Sequence, residues 1–193
     1  MGKLRVLLFD EIPDRSQTLR RTLARLGHEV VAVATDPRAL HDTVARHAPD
    51  VVVIETESPS RDTLENLAHV SDRCPRPVVM FTQDGDRDVI RRATVAGVTA
   101  YVVDGLAPER VEPIVEAAIA RFEAYQLVRD ELLATRTQLA DRKTIDRAKA
   151  LLMREKGLSE DAAYHRLRKL AMDRNRTIAQ VADDLIAMAK LLG

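Results

Sequence analysis

The chain has 193 residues, 46% hydrophobic and 31% charged, with 30 Lys+Arg against 30 Asp+Glu, enough for one domain with a real core and a smaller second one. No apolar run reaches the roughly 20 residues that a membrane helix needs, and the N-terminal run ends at Asp10, too soon for a secretory signal. The lone cysteine, Cys74, excludes an internal disulfide and offers no metal-ligand cluster, so a cytoplasmic protein is expected.

Short apolar runs alternate with longer amphipathic stretches through the front half. Residues 4–9 read as a buried strand and 16–26 as a helix closed by Gly27, and 30–34 and 37–48 repeat the pair. The β-branched run Val51-Val52-Val53-Ile54 is expected to be the central strand. A helix over 62–74, a strand over 78–82, a helix over 86–96 ending at Gly97, a strand over 100–103 and a helix from about Pro108 complete the series. Ser58-Pro59-Ser60 reads as a turn, with Ser60 or Asp62 capping the next helix. Five such units joined by short turns predict an α/β fold, a five-stranded parallel, doubly wound sheet with ligands at the carboxyl ends of its strands. No pair among His28, His41, His47 and His69 has metal-ligand spacing.

Asp10-Glu11 follow the first strand, Glu55 ends the third, Thr82 ends the fourth and Tyr101-Val102-Val103 form the fifth. On these residues, 1–112 resembles the response-regulator receiver domain. The resemblance implies an acidic pair for Mg²⁺, an aspartate after the third strand that takes a phosphoryl group, and a hydroxyl residue and a lysine that ligate it. Oxygen ligands suit Mg²⁺, a carboxylate must be the nucleophile, and a cation must neutralise the phosphoryl oxygens. Here Glu55 stands at the acceptor position and Asp104 at the lysine position. Glutamate is one methylene longer, and an aspartate repels what the lysine would attract. A degenerate pocket of Asp10, Glu11, Glu55, Thr82 and Asp104 is therefore expected, in a pseudo-receiver that is not phosphorylated. No resident metal or cofactor is expected; Asp10 and Glu11 are the place for a Mg²⁺ if one is taken.

Residues 113–140 read as a linker helix. It has no Gly, and Pro113 belongs at or inside its first turn. Apolar positions at 4-3 spacing run Val111, Val115, Ala118, Phe122, Tyr125, Leu132 and Leu139, with Arg129 and Arg136 filling two slots of the seam. Such a stripe on a long helix predicts a two-stranded coiled coil and a homodimer; the alternative is a helix packed back on its own receiver.

Residues 141–193 read as three helices. Ile145, Ala148, Leu151 and Leu152 face inward on the first, which runs over 143–153 before Gly157. Ser159 caps the second, with Ala162, Ala163, Leu167, Leu170 and Ala171 inside. Thr177 and Gln180 form a capping box for the third, whose inward positions are Ile178, Val181, Ala182, Leu185 and Met188. This segment carries 12 Lys+Arg against 8 Asp+Glu, net +4, whereas 1–112 carries 15 against 18, net −3. A polyanion would meet the tail.

Arg142, the run from Ile145 to Met153, Gly157-Leu158-Ser159-Glu160-Asp161-Ala162-Ala163-Tyr164, and the run from Leu167 to Arg176 resemble the ANTAR domain, an RNA-binding antitermination module often attached to receivers. Ala150 stands where family members commonly have Gly. The resemblance implies a dimer that binds two RNA hairpins in a leader transcript and prevents a terminator from forming. Candidate RNA contacts are Arg142, Lys149, Arg168, Lys169, Arg174, Asn175 and Arg176, with Tyr164 as a candidate stacking residue. Cations would hold phosphates while flat side chains read splayed loop bases. The stretch Ser58-Pro59-Ser60-Arg61-Asp62-Thr63-Leu64 narrows the resemblance to the NasT-type regulators of nitrate and nitrite assimilation, which implies a nitrate-sensing partner protein.

The competing readings are a phosphorelay response regulator and a protein-interaction or DNA-binding regulator. Glu55 and Asp104 oppose the first. Asp183-Asp184 on the third helix, which lacks outward cations, oppose DNA-groove binding. An enzyme is not expected, since the sequence offers no nucleophile–base pair, Gly-rich phosphate loop or metal triad.

Overall fold

A computed structural model describes residues 2–11, 16–104 and 107–192, and of 190–192 the backbone alone. The chain divides into two compact units, Met1–Gln126 and Leu127–Gly193.

The first unit is the wound sheet. Strands β1 (Arg5–Phe9), β2 (Glu29–Ala34), β3 (Val51–Glu55), β4 (Val78–Phe81) and β5 (Ala100–Val102) are all parallel, in the order β2-β1-β3-β4-β5. Every residue of β4, and of β1 and β3 bar one end each, is buried, as befits strands covered on both faces. Helices α1 (Gln17–Arg25), α2 (Leu40–His47), α3 (Arg61–Arg73) and α4 (Arg87–Val95) connect them, a 3-10 turn at Pro37–Ala39 leading into α2.

The two-residue period of the strands splits the core in two. Leu7, Phe9, Val52, Ile54 and Met80 face α2, α3 and α4 through Leu40, Val44, Leu67, Val70 and Ala93. Val6, Leu8, Val53, Val79 and Phe81 face α1 and the start of α5 (Pro108–Lys156) through Leu19, Leu23, Val111 and Val115.

This arrangement corrects the reading of the connecting helix. Val111, Val115 and Ala118 are at most 2% exposed, buried in the core of the first unit. They are not part of a coiled-coil seam, because the sheet face beside β1 and β3 needs an apolar cover. Pro113 lies in the second turn of α5 rather than the first, at an exposed position where it forgoes one backbone hydrogen bond. Nor does the helix break before the tail: its 49 residues run through 141 and supply the first helix of the second unit.

That unit packs α5 against α6 (Glu160–Asp173) and α7 (Ile178–Leu192). Its buried core is Ala148 and Leu152 from α5, Ala163, Leu167 and Ala171 from α6, and Val181 and Ala182 from α7. Four of these seven are alanines, which permits close helix approach but buries little area. Ala162 and Met188, expected inside, are exposed. Gly157, at φ 63°, terminates α5, and Ser159 caps α6 by accepting from the Ala162 N–H at 3.3 Å. Both halves of the expected capping box form at α7: Gln180 N–H donates to Thr177 Oγ1 at 3.1 Å, and Thr177 N–H to Gln180 Oε1 at 3.1 Å. No described helix is long and apolar enough to cross a membrane.

Candidate nucleic-acid interface

The carboxyl end of the sheet collects the residues predicted for the receiver pocket, but several are turned to other uses. Asp10, immediately after β1, is buried, and Glu55 ends β3 half-buried. Glu11 is drawn to the start of α3, where Thr63 Oγ1 donates to its carboxylate at 2.6 Å and Ser60 Oγ at 3.5 Å. Ser60 also caps α3, accepting from Thr63 N–H at 3.0 Å, so it and not Asp62 is the cap.

Thr82, buried after β4, donates its hydroxyl to the Glu57 carbonyl at 2.7 Å and accepts from Asp84 N–H at 3.1 Å. Ser58 Oγ donates to Asp84 at 2.5 Å, which together with the Asp86 N–H lowers the Asp84 pKa. Tyr101 OH donates to the Asp84 carbonyl at 2.9 Å, and burial pushes its phenol pKa up. The loops after β3 and β4 are thus stitched to each other and to β5.

Asp104 is exposed, with φ 69° in the left-handed region that aspartate tolerates better than most side chains. It supplies no cation for a phosphoryl group. Among the described residues no three His, Cys, Asp or Glu side chains converge closely enough to hold a metal ion. Glu11, one of the two carboxylates expected to take a Mg²⁺ if one is bound, is engaged by Thr63.

In the helical unit the predicted contacts separate into two kinds. Lys149 is tied down: its side chain is 16% exposed, and its ammonium sits 2.8 Å from Asp146 and 2.7 Å from Glu160, joining α5 to the start of α6. The Asp146 hydrogen bond, then that of Glu160, raises the Lys149 pKa, and Lys149 lowers that of Asp146. Arg176 grips Asp184 with Nη1 and Nη2 of its guanidinium, pinning the α6–α7 turn to α7. Asn175, at φ 51°, reverses the chain after α6, its N–H donating to the Met172 carbonyl at 3.2 Å while Arg176 N–H donates to Ala171 at 3.0 Å. For these three a structural duty is visible that sequence spacing did not expose, apart from the i,i+3 relation of Asp146 and Lys149.

Arg142, Arg168, Lys169 and Arg174 are exposed and make no ion pair among the described residues. Tyr164 is 41% exposed, one turn before Arg168, with its ring edge-on to His165 at 6.4 Å. Lys169 differs from Arg168 in lining a groove of about 670 Å³ whose other basic residues are Lys156, His165 and Arg166. Sequence reading passed over those three. The available signal was their position: Lys156 is the last residue of α5, and residues 166 and 169 are neighbours on α6.

Comparison with known proteins agrees with this division. Residues 6–116 match the response regulator receiver domain and residues 133–186 the ANTAR domain. The chain belongs to the ANTAR-domain response regulators. It is 30% identical over 179 residues to the transcriptional regulatory protein PdtaR of Mycobacterium tuberculosis, covering 93% of this chain and 87% of that one. Protein-glutamate methylesterase/protein-glutamine glutaminase 2 of Xanthomonas oryzae is 31% identical over 134 residues, but only 37% of that enzyme is covered. A solved LuxR-family two-component response regulator from Aurantimonas is 26% identical at a TM-score of 0.55, covering 62% of this chain and 86% of that one. The receiver domain of a modulated diguanylate cyclase from Desulfovibrio desulfuricans superposes at 0.57 with 21% identity, over 64% and 99% of the two chains, which speaks to the fold alone.

Proposed function

We propose that this regulator is a non-enzymatic, cytoplasmic transcription antiterminator that acts as a homodimer on paired RNA hairpins in leader transcripts. The observation that carries the reading is the helical unit matched to the ANTAR domain, whose Arg142, Arg168, Lys169 and Arg174 are exposed and make no ion pair among the described residues. Cations held in this way are available to phosphates, whereas Lys149 and Arg176 would have to exchange a carboxylate for one. In this reading 1–112 is the pseudo-receiver, 113–140 the linker and 141–193 the RNA-binding domain. The dimer seam is confined to the part of α5 whose apolar residues are open to solvent, with Val128 and Thr135 taking the slots that the sequence reading gave to Arg129 and Arg136. Tyr125, Val128, Leu132 and Leu139 are 65%, 65%, 50% and 55% exposed, and with Thr135 they make a 3-4 stripe over about two heptads.

Control by a partner protein rather than by phosphorylation is supported by Asp104 at the lysine position and by the Glu11–Thr63 hydrogen bond. Nitrate and nitrite assimilation genes as targets, with a nitrate-sensing partner, rest on the Ser58–Leu64 resemblance.

The test is a titration of the full chain with an RNA carrying two stem-loops, for wild type and Arg168→Ala/Arg174→Ala, before and after incubation with Mg²⁺ and acetyl phosphate. Tight binding that drops about tenfold or more in the variant is expected, with no phosphoryl label and no change on treatment. Absence of RNA binding by the folded wild type refutes the antiterminator, and stoichiometric labelling refutes the pseudo-receiver.

A further inference from the structure

We propose that the groove between the end of α5, α6 and α7 is a pocket for one unstacked nucleotide of an RNA loop. The proposal rests on the RNA reading above and assigns a site that the family resemblance did not name.

The groove is about 670 Å³, within the range of small-ligand clefts. Its floor is apolar, and Leu158 and Leu185 illustrate how it is made. Leu158 is brought in by the reversal at Gly157, which a left-handed φ of 63° permits, and Leu185 comes from α7. Around this floor stand Lys156, Arg166 and Lys169, with His165 beside them. Among the described residues no aspartate or glutamate lines the groove, and none of the three cations makes an ion pair.

A lining that combines leucines, the planar groups of His165 and Arg166 and three cations without an ion pair among the described residues matches the chemistry of a nucleotide. The faces of a base are flat and weakly hydrated, and its phosphates lie a short step away along the chain. His165 and Arg166 supply planar groups of the kind on which loop bases stack. The ring of Tyr164 lies edge-on to that of His165 at 6.4 Å. Lys156, Arg166 and Lys169 then take the flanking phosphates. An acidic peptide would use the cations but leave the flat walls and leucine floor without purpose.

The experiment uses the full chain and an RNA with two stem-loops in which each loop base is removed in turn to leave an abasic site. In wild type, loss of one particular base is expected to weaken binding about tenfold, the scale of one stacked base. Two variants address the groove without touching the buried core. Ala162→Trp fills it from an exposed position on α6, and His165→Ala/Arg166→Ala removes a wall and a rim cation.

Both variants, with unchanged helical circular dichroism, are expected to bind more weakly and to be indifferent to that base. If they keep the tenfold sensitivity, or no base matters to wild type although RNA binds, the pocket is refuted while the RNA reading stands. A fall in sedimenting mass for Ala162→Trp makes the groove a contact between copies and refutes the pocket as well. If wild type binds no RNA, both readings fall.

Discussion

The carboxyl end of the receiver sheet and the surface of the helical unit both gather polar side chains, yet they treat them in opposite ways. At the sheet, Glu11 is held by Thr63, Thr82 by the Glu57 carbonyl, Ser58 by Asp84 and Tyr101 by the Asp84 carbonyl. These hydrogen bonds tie the loops after β1, β3 and β4 to their neighbours. On the helical unit only Lys149, Arg154 and Arg176 are committed to carboxylates among the described residues, and the remaining described cations are exposed apart from the half-buried Arg129. Side chains that a fold leaves uncompensated are those a partner can use. In the function proposed above, the helical unit supplies the charge that meets the RNA.

The largest effect expected from breaking this contrast lies on α5. Leu132→Asp/Leu139→Asp puts carboxylates on the exposed stripe of α5 without touching either buried core. It is expected to give a monomer by sedimentation and to lower affinity for two-hairpin RNA by about a hundredfold, the scale of lost bivalency. A monomeric wild type, or a variant with unaltered mass and affinity, removes the dimer from the account.

Next in size is the difference between the two cores. Leu67→Ala and Leu167→Ala each empty a fully buried site at a cost of about 2–5 kcal/mol. The sheet has a large core to draw on, whereas the helical unit has, among the described residues, seven buried apolar ones, four of them alanine. Leu167→Ala is expected to unfold the helical unit at room temperature and leave the receiver transition in place. Leu67→Ala should only shift that transition to lower denaturant. A single shared transition in urea, moved equally by both substitutions, would show the units to be one cooperative body.

The smallest effect concerns the tie between α5 and α6. The Asp146 carboxyl is lowered from its ordinary 3.8 by Lys149, so its contribution is present above that value and fades as pH falls through the lowered pKa. The Lys149 ammonium is raised from 10.5, so its contribution is present below that value and is lost as pH rises through the raised pKa. Lys149→Met is thus expected to lower the unfolding midpoint of the helical unit slightly at neutral pH, with the difference from wild type vanishing in strong acid. A difference that persists when the carboxylates are protonated would mean that Lys149 acts by packing alone.

Much of this molecule is legible in its sequence, for reasons that differ by region. Strand and helix spans follow from β-branched runs and local stops, and the capping box at Thr177 and Gln180 is a local signal that the structure realises in both directions. The receiver pocket was legible as a set of positions, because strand ends in a parallel sheet must converge. That Glu11 turns to Thr63, 52 residues away, was not, since nothing local encodes the choice. In the helical unit, charge pointed to a candidate surface but not to which cations are free. Arg176 and Asp184 meet across a turn and are eight residues apart. The groove that brings Lys156 beside Arg166 needs three helices to exist.

The sequence by itself determined the two folds, their order and the residue types at each strand end, because hydrophobic period and turn chemistry are short-range properties. The course of α5 was decided only in three dimensions. One continuous apolar periodicity reads the same whether it faces a sheet, a second copy or two further helices. Burial of Val111, Val115 and Ala118 against the sheet and of Ala148 and Leu152 against α6 and α7, with an open stripe from Tyr125 to Leu139, assigns its stretches to different surroundings. Packing made that assignment, since an apolar side chain specifies only that it be covered and not by what.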